Sequence, residues 1–123
     1  MLLLTLFACA PLTGDWSGTI DCLSHEMPVS LALAANGDRY SGTGELDCLE
    51  YYGSECGETF DIFVVPSDWG GSQHIAAHLD NCVVTTAASS GAADCVDPDG
   101  WRWDGADTIE GDWGDCDASI ERE

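Results

Sequence analysis

The strongest constraint on this chain is that its two ends carry matching alternating segments. Trp16, Gly18, Ile20 and Cys22 fall on one face of the first, and Ser17, Thr19 and Asp21 on the other. A period of two is that of a half-buried strand. Near the C-terminus, Cys116, Ala118, Ile120 and Arg122 alternate with Asp117, Ser119 and Glu121 in the same way. Paired antiparallel with Trp16 opposite Arg122, the two segments set Ile20 against Ala118 and Cys22 against Cys116. One register then supplies an aromatic–cation contact at one end, an apolar pair in the middle and a disulfide at the other. A one-residue slip removes all three. The first and last strands are therefore expected to meet, which is what closing a barrel requires.

Short alternating runs fill the chain between them. After a turn over Ser24–Pro28, Val29, Leu31 and Leu33 mark a second strand, and Asn36-Gly37 is a strong hairpin signal. Tyr40, Gly42, Gly44, Leu46 and Cys48 share a face of the third strand, where the glycines permit a bend. A loop over Leu49–Gly57 carries Tyr51 and Tyr52. Strands follow over Thr59–Val65 and Ser72–Val84, with a turn over Pro66–Gly71 between them. A loop over Thr85–Pro98 then leads to strands over Trp101–Gly105, Thr108–Trp113 and Cys116–Arg122. No helical period of useful length interrupts them. The expectation is an all-β fold: a small antiparallel up-and-down β-barrel of about eight strands.

In such a meander, odd strands end and even strands begin at one rim. Cys22, Cys48 and Cys82 end odd strands, while Cys56, Cys95 and Cys116 precede or begin even ones. All six are thus expected at one rim, with Cys22–Cys116, Cys48–Cys56 and Cys82–Cys95 the simplest of the possible pairings. Three disulfides imply an oxidising compartment, and each contributes about 2–4 kcal/mol. No Cys-x-x-Cys pair suggests zinc.

The N-terminus fits export. Residues 1–8 are apolar, uncharged and too short to span a bilayer. They look like the tail of a signal-peptide core. Leu6-Phe7-Ala8-Cys9 resembles a bacterial lipobox with Cys9 as the lipidated residue. Ordinary cleavage after Ala10 is the alternative, since Ala8-Cys9-Ala10 fits a small-x-small site. The expected domains are a signal remnant with lipobox over 1–9, a tether over 10–13 and one barrel over 14–123. Ala10 after the cysteine points, by analogy with lipoprotein sorting, to the outer membrane; periplasmic or secreted protein is the alternative.

Gly14-x-Trp16 at the start of the first strand and Arg122 near the end of the last resemble the lipocalin (calycin) signature. Ile109-Glu110-Gly111-Asp112-Trp113 and Ala118-Ser119-Ile120-Glu121-Arg122 are similar to the final hairpin of lipocalin-like bacterial lipoproteins. The resemblance implies that Arg122 packs over Trp16 and plugs one end of the barrel.

Charge narrows the partners. The chain has 23 acidic and 3 basic residues, a net charge of −20. That excludes unassisted binding to nucleic acid or an anionic membrane surface, leaving contact with a membrane through the lipid anchor alone. It reads as a solvated acidic surface, or as a means of capturing cations or basic partners. His74, His78 and Asp80 share a strand face, but the histidines would stand about 13 Å apart, too far to share one ion. Asp94, Asp97, Asp99 and Gly100 resemble half a calcium loop, without the first and last ligands of an EF-hand. An acidic solvated loop is the simpler account. No nucleophile motif or acid–base constellation points to an enzyme, and no metal or cofactor is expected.

Trp101, Trp103, Tyr40 and Phe60 are candidates to line a pocket for a small apolar ligand inside the barrel, or to be core. The functional expectation is an exported, lipid-anchored, monomeric barrel that binds such a ligand. The alternative is a non-catalytic surface or structural lipoprotein with a filled core, acting through acidic rim loops.

Overall fold

A computed structural model describes residues 12–48, 55–69 and 72–123. Its strands are β1 (Gly14–Cys22), β2 (His25–Asn36), β3 (Arg39–Asp47), β4 (Cys56–Trp69), β5 (Ser72–Thr86), β6 (Ser90–Ala92), β7 (Pro98–Trp103), β8 (Thr108–Trp113) and β9 (Cys116–Arg122). They neighbour one another in the order β4-β3-β2-β1-β9-β8-β7-β5, and β4 also pairs with β5. Eight antiparallel strands therefore close into an up-and-down barrel, and β6 adds a short ninth to the rim of β5.

The seam between the two ends of the chain has the register the alternation predicts. Trp16 lies opposite Arg122 and Ile20 opposite Ala118, and just past the last pair Cys22 is bonded to Cys116. Cys48–Cys56 and Cys82–Cys95 complete the disulfides. All three lie at one rim, and three such bonds in one small domain indicate an oxidising, extracytoplasmic setting. Most inward positions are apolar and buried, including Trp16, Ile20, Leu31, Ile62, Leu79, Ile109 and Ile120.

Several strand boundaries differ from expectation: β4 already begins at Cys56 and β5 runs to Thr86, and the larger differences have local reasons. The turn expected over Ser24–Pro28 is only Leu23-Ser24, both at positive φ, the geometry of a tight two-residue hairpin. From such a turn Cys22 and His25 form a hydrogen-bonded pair, and pairs alternate outward. Pro28 therefore points its nitrogen away from β1, toward β3, whose ladder with β2 stops at Val29 opposite Leu46. By the same geometry Pro66 does not end β4. The strand runs on to Trp69 beside β5, and Pro66 faces a side where β3 has already ended at Tyr40 opposite Val64.

The expected loop Thr85–Pro98 contains β6, folded back on Val83–Thr85. The strand expected over Trp101–Gly105 lies over Pro98–Trp103, because Asp104 turns the chain. Its Oδ1 accepts hydrogen bonds from Ala106 N (2.8 Å) and Thr108 N (3.1 Å).

β5 and β7 pair only at His74 opposite Arg102 and Ile75 opposite Trp101. Beyond that point the carboxylate of Asp97 stands in for a ladder carbonyl, taking the N–H of Leu79 at 2.9 Å. Its other oxygen lies 2.9 Å from His78 Nδ1. Leu12, expected in the tether, is fully buried, and its carbonyl accepts from Trp16 Nε1 at 2.9 Å. Leu12 thus packs as part of the core, ahead of Gly14. The signal remnant, Cys9 and the loop residues Tyr51 and Tyr52 lie outside the described residues.

Candidate functional site

The two ends of the barrel differ in chemistry. At the end away from the disulfides, Arg122 lies over Trp16, its guanidinium carbon 4.4 Å from the ring centroid. It donates to Thr13 O (2.7 Å), Ala106 O (2.9 Å) and Asp107 Oδ1 (3.0 Å). A planar fork spread over three acceptors and an aromatic face makes a plug that a lysine could not reproduce. This end is closed.

The interior is filled. Trp101 and Phe60 are almost fully buried, and both meet Trp113 edge-on, with ring centroids 5.7 and 5.6 Å away. Inward glycines give these rings their room. A Cβ on Gly44 would strike the Phe60 ring and Leu31, and one on Gly111 would strike Trp101. Gly18 and Gly42 are approached instead by the backbone carbonyls of Ser119 and Ala32. The glycines therefore accommodate close neighbours.

Of the four residues expected to line a pocket, Phe60 and Trp101 are core. Trp103 and Tyr40 are half-buried on the strand ends nearest the plug, and Trp103 Nε1 donates to Ala106 O at 3.2 Å. None of the four lines either cavity described below. Trp101 Nε1 is buried without a hydrogen-bond partner among the described residues.

The disulfide rim carries a concave site beside Cys22 and Cys116. A cavity of about 360 Å³ opens there, with Trp113 and Leu46 inside it, Leu23 and Val96 on its lip and Glu58, Asp94 and Asp115 among its walls. Each part has a local cause. The tight β1–β2 turn lifts Leu23 outward, leaving it 80% exposed. Trp113 Nε1 donates to Val96 O at 2.7 Å and ties the segment after Cys95 to the mouth. Val96 is itself 56% exposed; it and Leu23 are the large exposed hydrophobic residues among those described. Glu58 shares the inward parity of Phe60 and stands half-buried, and that burial raises its carboxyl above the ordinary pKa. A larger, more open groove of about 1050 Å³ runs over β1 to β4, between Ser17, Pro28, Glu45 and Thr59, and Leu46 and Glu58 line it as well as the mouth.

Of the mouth residues, Asp94 stands out in the sequence only as part of an acidic loop, and the apolar lining does not stand out as such at all. Trp113 was visible only as part of a terminal motif, and Leu23 and Val96 sit in a turn and a loop, where no period betrays them. Glu58 falls just before the strand expected from Thr59. The histidines and aspartates singled out in the sequence do not gather at one point. His78 and Asp97 are engaged with each other, and among the described residues no three His, Cys, Asp or Glu side chains are grouped to hold a metal.

No family model, curated protein or solved structure matches this chain. The closed eight-stranded barrel with an Arg-over-Trp plug is compatible with a lipocalin-like fold.

Proposed function

We propose that the protein is an exported, lipocalin-like, non-catalytic binding module that takes a small ligand at its disulfide-rimmed mouth. The observation that carries this is the position of Leu23 and Val96. Two exposed hydrophobic side chains flank one cavity over a tryptophan, where burying them against a ligand is favourable. The packed interior argues against deep uptake beside Tyr40, Phe60, Trp101 and Trp103. The three staples hold the hairpins that frame the mouth, so little ordering cost remains for binding. Lipidation at Cys9 and the outer membrane complete the proposal for its location. An anchor at the N-terminus leaves from the plugged end, and the mouth then faces away from the bilayer.

The test is uptake of the neutral apolar dye N-phenyl-1-naphthylamine by the purified, disulfide-bonded protein. Leu23→Ser with Val96→Ser should weaken uptake about tenfold, the scale of two lost apolar contacts. Uptake indifferent to both changes would overturn the reading, as would absent uptake joined to no binding of the phenyl ligands titrated below. Acyl-chain mass on Cys9 in the membrane-extracted protein tests the anchor.

A further inference from the structure

We infer that the mouth selects a small organic ammonium ion: an amine on an aromatic or branched hydrocarbon. The inference rests on the mouth being the binding site and names the chemistry it takes. Glu58, Asp94 and Asp115 line the cavity, and no basic residue does. The three arginines are far away. Arg39 opens β3 beside Asp38 and over Phe63, Arg102 pairs across from His74, and Arg122 plugs the opposite end. The mouth is thus an acidic opening with no arginine beside it, on a chain of net charge −20.

The same cavity offers an indole at Trp113 and aliphatic walls at Leu23, Leu46 and Val96. Carboxylates beside an aromatic surface suit a weakly hydrated cation carrying a hydrocarbon. A bare metal ion suits the site poorly, because the carboxylates do not converge into a group that could hold one among the described residues. A neutral ligand would dehydrate the half-buried Glu58 without giving it a partner, and an anion would be repelled. The raised pKa of Glu58 agrees, since a cation beside it restores the charged form. The cavity lies at the small end of the ligand-site range of about 300–1,000 Å³, enough for one small molecule.

The experiment is calorimetric titration of the disulfide-bonded protein at pH 7.5 in physiological salt with three near-isosteres. These are phenethylammonium, 2-phenylethanol and 3-phenylpropionate. Phenethylammonium should bind at least about tenfold more tightly than the alcohol, and the carboxylate should not bind. Glu58→Gln should weaken the ammonium about tenfold and leave the alcohol no weaker, since the charge it would dehydrate is gone; Glu110→Gln, an exposed acid away from the mouth, should change neither. Equal affinity for ammonium and alcohol would overturn the inference and leave the mouth reading standing. Stoichiometric displacement of the ammonium by calcium would overturn it in favour of a metal site. No binding by any of the three, together with no dye uptake, would sink the mouth reading itself.

Discussion

Removing the disulfides one pair at a time should reveal which staple holds the barrel shut. Cys22–Cys116, Cys82–Cys95 and Cys48–Cys56 span sequence separations of 94, 13 and 8 residues. On a chain-entropy account, constraint of the unfolded chain grows with the logarithm of the closed loop, giving about 4.7, 3.0 and 2.6 kcal/mol in that order. Native packing does not reverse the ranking, because all three pairs sit at the same rim and contribute buried or half-buried sulfur. Each pair is replaced by alanine, which adds no buried hydroxyl. Urea unfolding is then followed by tryptophan fluorescence, with slopes compared to exclude changes in the unfolded ensemble. A loss near 5 kcal/mol is comparable to the whole stability of many domains, about 5–15 kcal/mol. The three variants are therefore compared in a stabilising osmolyte. A Cys22–Cys116 variant no less stable than the Cys48–Cys56 variant would refute the reasoning, since the long loop would then hold nothing together that the ladder does not.

Three further outcomes follow from single side chains. Gly111→Ala should destabilise by about 1–3 kcal/mol or more by denaturant titration, because its Cβ meets both Trp101 and the Gly100 carbonyl, and backbone cannot move aside cheaply. Asp97→Ala should cost about 1–3 kcal/mol and speed hydrogen exchange at the Leu79 amide, whose acceptor it removes. Glu58→Gln should stabilise the protein at neutral pH. Burial raises the folded-state pKa, so the native state binds the extra proton and wild-type stability falls as pH rises from the ordinary carboxyl value through the raised one. The variant's unfolding midpoint should lack that fall, and an unchanged profile would count against a desolvated Glu58.

What could be read from the sequence was whatever a period of two encodes. The Trp16–Arg122 register, the eight barrel strands and the rim position of the cysteines all follow from alternation and strand direction. Breakers were over-read. Pro28 and Pro66 look like stops, but each turns its nitrogen to a side where no ladder partner lies, so the strands continue. β6 was hidden because its small residues carry no apolar alternation. The conspicuous aromatics Phe60 and Trp101 are core, not pocket lining. Aromatics pack first, and Gly44 and Gly111 exist to admit them. The mouth is assembled instead from a turn, a loop and a rim glutamate, whose proximity is set by disulfides and β-turn geometry and leaves no trace in local pattern.

The central claim is that ligand meets this barrel at its disulfide-rimmed mouth, over a packed interior. The direct measurement is the set of indole N–H resonances of the 5 tryptophans, followed by NMR while phenethylammonium is added. Trp113, whose N–H is held by Val96 at the mouth, should shift most, and Trp16 and Trp103, held by Leu12 and Ala106 at the plugged end, should stay fixed. Shifts at Trp16 or Trp103 with Trp113 unmoved would contradict the account.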